Sequence, residues 1–310
     1  MHQMSARMKN KFILLVSGIV CIAILLFSVY LLVVKGPGVL TEKTGRLQVV
    51  VSFYPLEEFS RQVGGREVDV TSLIPAGVEP HDFEPTARDI VAIHQSDVFV
   101  YNGAGFEPWI ERTLPDIQKN GVVVVNSSEN IDVPMDSDPH IWLDPVLAHE
   151  QVDAITEGFI TADPQHASIY EANATAYKKQ LADLDTDFRI GLSHCATRSV
   201  VVSHEAFRYV ARRYNLHVVS LSGISPDEEP SPQKMAEIVE FAKKNNIRYI
   251  FFETLVSPRL SETIAKEIGA ETLVFNPLEG LTPEEIAQGK NYISVQQENL
   301  ANLEKALGCI

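Results

Sequence analysis

Two rhythms alternate along this chain. Short runs rich in β-branched residues fall at 47–53, 68–74, 98–101 and 122–125. That is the composition of parallel strands covered on both faces. Between them lie helical patterns over about 56–63, 86–95 and 108–118. Strand and helix in this order predict βαβ units, and so a parallel sheet flanked by helices. From 145 to about 190 the strand signal stops. Asp163-Pro164 is a good helix start, with Asp as N-cap and Pro as the first helical residue. A helix from there to about residue 190 would reach about 40 Å. The alternation then resumes, with strand patterns at 199–202, 217–221, 249–252 and 272–275. Helical patterns follow at about 205–214, 232–244, 258–268 and 283–307.

The predicted fold is therefore α/β, with two lobes, each a parallel β-sheet flanked by helices, joined by a long rigid backbone helix. The expected segments are an N-terminal lobe at 46–162, a connecting helix at 163–190 and a C-terminal lobe at 191–310. Ahead of these, 1–11 is a basic flank, 12–34 an apolar span and 35–45 a Gly/Pro linker. The span carries no charge and follows Arg7, Lys9 and Lys11. At 1.5 Å per residue it reaches about 34 Å, enough for a hydrocarbon core of about 30 Å. No small-residue cleavage site follows Val34, and Val20 before Cys21 does not fit a lipoprotein signal. The expectation is an uncleaved N-terminal transmembrane helix with everything after Lys35 outside. The alternative is an unusually long cleaved signal.

Composition sharpens the class. The formal net charge is −15, from 41 acidic and 26 basic residues. This argues against nucleic acid, whose binding is driven by phosphate neutralisation. It suits a cation binder, and plain solubility equally. Of three cysteines, Cys21 lies in the apolar span, leaving Cys195 and Cys309 in the exported part. There a disulfide is permitted, and two free thiols are the alternative.

Four positions share one setting. His81 lies in Glu79-Pro80-His81-Asp82-Phe83-Glu84-Pro85, after the second strand pattern. His140 lies between two Asp-Pro pairs, in Asp138-Pro139-His140-Ile141-Trp142-Leu143-Asp144-Pro145. His204 directly follows a strand pattern, and Glu279 lies in Asn276-Pro277-Leu278-Glu279-Gly280 just past another. Proline removes a backbone donor and stiffens the residue before it, so these are braced segments. Three of the four come at the carboxyl ends of strands, where open α/β sheets place ligands. Each group alone is more often an ordinary hydrogen-bonded residue. Together, three imidazoles and a carboxylate make a metal set suited to Zn²⁺ in four-coordinate geometry. A His₃ hydrolytic zinc site would keep a position open for water; Glu279 would close it.

On these residues the chain resembles a known family. The strings Phe53-Tyr54-Pro55, EPHDFEP at 79–85, DPHIWLDP at 138–145, Ser203-His204-Glu205-Ala206-Phe207 and NPLEGLT at 276–282 occur together and in order. They resemble the metal-binding solute-binding proteins of ABC transporters, the cluster A-I group, and within it the zinc (ZnuA/AdcA-like) branch. The resemblance implies two α/β lobes with metal in the cleft, and a ligand role for His81, His140 and His204. Manganese members tend to carry Glu in place of His204, and many members use an Asp where Asn276 stands. Members sharing the NPLE string use its Glu, here Glu279. Asp144 and Trp142 are expected to support the ligands from behind. The function implied is extracytoplasmic capture of Zn²⁺ by a non-enzymatic monomer and its delivery to an ABC permease driven by a cytoplasmic ATPase. Manganese or iron binding within the same family, and a zinc hydrolase, are the alternatives. An added adhesive role is neither supported nor excluded by the sequence.

Overall fold

The computed structural model describes residues 45–132 and 138–310. The expected membrane span at 12–34 and the basic flank lie outside the described residues. Among the described residues no helix is long and apolar enough to cross a membrane.

From Arg46 onward the chain forms one compact unit built on two four-stranded sheets. The first contains β1 (Leu47–Val51), β2 (Val68–Ser72), β3 (Val98–Tyr101) and β4 (Val123–Asn126), in the order β2-β1-β3-β4. The second contains β5 (Ser199–Val202), β6 (His217–Ser220), β7 (Tyr249–Phe252) and β8 (Glu271–Val274), in the order β6-β5-β7-β8. Every pairing is parallel. Val49, Val50 and Val51, Val98, Phe99 and Val100, and Val200, Val201 and Val202 are all buried. Continuous apolar strands without inside–outside alternation are what a sheet covered on both faces requires.

The covering helices are α1 (Tyr54–Gly64), α2 (Ala87–Gln95), α3 (Ile110–Lys119), α4 (Pro145–Ala162), α5 (Ala167–Gly191), α6 (Arg208–Tyr214), α7 (Pro232–Lys244), α8 (Arg259–Ile268), α9 (Pro283–Ala287) and α10 (Tyr292–Leu307). Their starts follow local chemistry. Thr86 and Asp89 form a capping box, Ser231 accepts from the Lys234 amide, and α7 has Pro at its first position. Two boundaries differ from the sequence pattern. The helix expected from Asp163 begins with a single 3₁₀ turn, Pro164–His166, and becomes α-helical only at Ala167. The Asp163 carboxylate accepts from the His166 ring and the Tyr170 hydroxyl and caps no backbone amide. The pattern over 283–307 forms two helices. Gly289 turns with φ +73° and Asn291 opens a capping box of its own with Ser294, after the Thr282–Glu285 box that starts α9, so the helix restarts.

Helix α5 ties the two sheets together. Tyr177 packs on Phe59 of α1, and Phe188 stacks on Tyr214 of α6, with ring centroids 6.0 and 5.0 Å apart. Phe59 also meets Tyr292 of α10 edge-on at 5.1 Å. One core cluster thus runs from Val49 and Val100 through Tyr177 and Leu184 to Val202 and Phe275. Each fully buried aromatic contributes on the order of 2 kcal/mol. At the far end, Cys195 and Cys309 are joined as a disulfide across 114 residues. In the chain-entropy account so long a loop yields up to about 4–5 kcal/mol.

Candidate metal centre

His81, His140, His204 and Glu279 come together although they lie up to 198 residues apart in sequence. His140, His204 and Glu279 are buried, and His81 is the least enclosed of the four, with 8% of its side chain exposed. Glu279 Oε1 lies 3.2 Å from His81 Nε2, 3.0 Å from His140 Nε2 and 3.1 Å from His204 Nε2. His140 Nε2 is 3.2 Å from both His81 Nε2 and His204 Nε2. Five of the six edges of a four-cornered figure are therefore 3.0–3.2 Å, and all four atoms lie within 4.8 Å of one another. A regular tetrahedron with such edges has its centre about 1.9 Å from each corner. Zinc–imidazole bonds of roughly 2.0–2.1 Å fit that spacing; calcium–oxygen distances of roughly 2.3–2.6 Å do not.

Neutral rings alone leave this cluster without the hydrogens it would need to bond internally. His140 Nδ1 donates to Asp138 Oδ1 at 2.6 Å, and His204 Nδ1 donates to Glu253 Oε1 at 2.5 Å. A neutral imidazole whose Nδ1 carries the proton presents a lone pair at Nε2. The Nε2 atoms of His140 and His204 then face each other and a carboxylate oxygen with lone pairs, which only cations can relieve. Protons are one such cation. Burial opposes charge on His140 and on His204. Hydrogen bonds to Asp138 and Glu279 nevertheless raise the His140 pKa, and the charges of Glu253 and Glu279 hold His204 well above its ordinary value. Burial alone would push the Glu279 carboxyl up. The His204 charge and the hydrogen bonds from the three histidines hold it well below the usual carboxylate range. A divalent ion placed among these atoms would compete with protons for one place.

Each of the four side chains is aimed by its own segment. The Asp138 carboxylate also accepts from the His140 amide at 3.0 Å, so one side chain fixes both backbone and ring. The carbonyls of this strap are held from several sides. Asp138 O accepts from Tyr209 Oη, Pro139 O from Asn102 Nδ2, Trp142 O from Tyr292 Oη, and Leu143 O from Gln296 Nε2. Glu279 follows a turn in which the buried Leu278 sits at φ +56°, a strained conformation for a branched residue. Asn276 maintains it: its Oδ1 accepts from the Leu278 amide, its Nδ2 reaches Thr254 and Glu285, and its backbone exchanges two bonds with Asn299.

The expected support from Trp142 and Asp144 divides. Trp142 packs against His140, ring centroids 5.1 Å apart, and donates Nε1–H to Pro277 O at 2.8 Å, joining the His140 and Glu279 segments. Asp144 makes no contact with the four groups. It caps α4 through the Val146 amide and pairs with Arg213. The carboxylate beside His140 is Asp138 instead. Glu253 was missed altogether. It directly follows β7, at the carboxyl end of a strand as His204 is after β5, and that positional rule finds it.

Two α/β lobes with a buried His₃–carboxylate set converging from both define a metal-type solute-binding protein. Comparison with known proteins fixes the family. Residues 49–306 match the ZnuA family, described as zinc-uptake complex component A, periplasmic; the chain belongs to this family, a component of uptake systems and not an enzyme. It is 38% identical over 288 residues to the high-affinity zinc uptake system protein ZnuA of Bacillus subtilis, covering 87% of this chain and 90% of that protein. It is 37% identical over 302 residues to the zinc-binding lipoprotein AdcA of Streptococcus pneumoniae, covering 92% of this chain but spanning only 60% of that longer protein. The Zn(II)-bound ZnuA-like domain of AdcA superposes with a TM-score of 0.77 at 40% identity, over 85% of this chain and 99% of the domain. A laminin-binding protein of Streptococcus agalactiae, described as bifunctional with adhesin and metal-transporting activity, matches with a TM-score of 0.77 at 34% identity, over 84% of this chain and 99% of that one.

Proposed function

We propose that this chain captures Zn²⁺ outside the cytoplasm with His81, His140, His204 and Glu279 and passes it to an ABC-transporter permease driven by a cytoplasmic ATPase. The observation that carries the metal assignment is the set of five 3.0–3.2 Å edges among three Nε2 atoms and one carboxylate oxygen. The nitrogen-rich set favours Zn²⁺ over Mn²⁺ and Fe²⁺. Glu279 fills the fourth corner that a hydrolytic zinc site would leave to water.

The working division is an N-terminal lobe at 46–162, a connecting segment at 163–190 and a C-terminal lobe at 191–310, acting as a monomer. The apolar 12–34 span holds the protein at the extracytoplasmic face, near its permease. The bifunctional streptococcal relative motivates one further reading, in which the outer surface also binds a matrix protein; absence of binding to immobilised laminin would remove it.

Metal analysis of the purified full chain, held in detergent, tests the main reading. The expectation is one Zn²⁺ per chain, displaced poorly by Mn²⁺ in competition. No bound Zn²⁺ near neutral pH, or unchanged binding when His81 and His204 are both replaced by Ala, would refute it.

A further inference from the structure

Only one oxygen of Glu279 faces the histidines. Its Oε2 is buried and has no hydrogen-bond partner. A buried carboxylate oxygen left bare is costly, and native structures rarely leave one without a reason. The Tyr54 hydroxyl oxygen is likewise buried without a partner. Tyr54 and Glu279 line the same small cavity, with about 40 Å³ open to the centre of a water-sized sphere. One water needs on the order of 10–15 Å³ by that measure and two to four polar partners. The cavity therefore has room for water, and it joins two residues that each carry an unmatched oxygen. The rest of its lining is apolar, including Ile74, Pro75 and Leu281, apart from Glu57, whose carboxylate is engaged by Arg61. Tyr54 is fixed at this place because it opens α1 directly after β1. Phe53 before it packs on Phe106 and Trp142, and Pro55 after it occupies the start of the helix.

We propose that Tyr54 is a positioning and specificity-determining residue for metal capture: through water held in this cavity its hydroxyl engages Glu279 Oε2 and keeps Glu279 a one-oxygen ligand. The water accepts from the tyrosine O–H and donates to Oε2. With Oε2 occupied, the metal receives three nitrogens and one oxygen, a number that suits Zn²⁺. With Oε2 released, the carboxylate can turn and offer both oxygens, and an oxygen-richer shell favours Mn²⁺. The inference rests on the assignment of Glu279 as a ligand. It gives the Phe53-Tyr54-Pro55 string, so far without work of its own, a role at the centre.

The test uses the zinc-loaded full chain in detergent and the variants Tyr54→Phe, Tyr177→Phe and Glu279→Ala. Tyr177 also has a buried hydroxyl without a partner, but it does not line the cavity, so it controls for loss of a buried O–H. X-ray absorption at the zinc edge and the infrared splitting of the carboxylate stretches report how Glu279 binds. Competition between Zn²⁺ and Mn²⁺ reports selectivity. Tyr54→Phe is expected to add a ligand atom to the zinc shell, narrow the splitting and shift the competition about tenfold towards Mn²⁺, with Tyr177→Phe unchanged. A folded Tyr54→Phe protein with wild-type shell, splitting and competition would overturn the inference, as would equal shifts in both tyrosine variants. Should Tyr54→Phe fail to fold, a high-resolution crystal structure of the loaded wild type decides. An ordered water within about 3.2 Å of both oxygens supports the inference, and its absence overturns it. Glu279→Ala separates the two claims. Unchanged zinc binding in that variant defeats the ligand assignment itself, whereas weakened binding alongside a silent Tyr54→Phe defeats only the role of Tyr54.

Discussion

His140 and His81 bring the same atom to the same point, but the protein holds them in different ways. His140 is fully buried, its Nδ1 and amide are both bound by Asp138, and four carbonyls of its strap are tied by Tyr209, Asn102, Tyr292 and Gln296. His81 lies on the long loop between β2 and α2, partly open to solvent. Its amide donates to Glu79, and among the described residues its Nδ1 has no partner. The lesson is a division of labour. His140, His204 and Glu279 form a wall held from several sides, and His81 stands against it on a loop.

That comparison can be broken at several strengths. The largest effect is expected for His140→Ala, which removes a ligand and leaves Asp138 buried without its partner. Chelator competition should show a loss of more than about 1,000-fold in zinc affinity, against roughly 10–100-fold for His81→Ala. Equal losses would end the distinction between wall and loop. Next come Asp138→Asn and Glu253→Gln, which keep the ligands but disturb the proton on Nδ1. Each is expected to cost roughly 10–100-fold in affinity with little change in fold; wild-type affinity in both would show that the carboxylates do not orient the rings. Acid should act on the wall as well. His140 and His204 have raised pKa values in the metal-free site, so protons bind there already as pH falls towards the histidine range from above. Affinity should then drop by about tenfold per pH unit for each proton displaced. Retention of zinc at pH values well below that range, followed by equilibrium dialysis, would contradict the histidine set. The smallest effect is expected for Trp142→Phe, which loses the bond to Pro277 O. Chemical denaturation should report a loss of about 1 kcal/mol, with a minor change in affinity. A large loss of affinity would mean that this one bond sets the distance between the His140 and Glu279 segments.

How much of this was legible in the chain depended on whether the signal was local. The strands could be read because covered parallel strands are apolar without interruption, and 98–101, 199–202 and 249–252 stand as read. His81, His140, His204 and Glu279 could be singled out because proline, glycine or a strand end braces each one. Choosing between the two aspartates of Asp138-Pro139-His140-Ile141-Trp142-Leu143-Asp144 could not rest on the motif, which is nearly symmetric about its centre. What decides is that a residue two places before His140 can reach its amide and ring together, while Asp144 is claimed by Arg213 from 69 residues away. Glu253 carries no bracing at all, and only its place at the end of β7 marks it. The break between α9 and α10 is written locally, where Gln288, Gly289, Lys290 and Asn291 interrupt the apolar positions between Ala287 and Tyr292.

The aromatic ladder of Phe59, Tyr177, Tyr292, Phe188 and Tyr214 has a consequence for how this molecule comes apart. Each sheet keeps a smaller cluster on one face, around Phe99 and Ile117 in the first and Val201 and Ile250 in the second, but the largest cluster is shared by both, and unfolding either half breaks it. Heating or denaturant should therefore melt them in a single cooperative step.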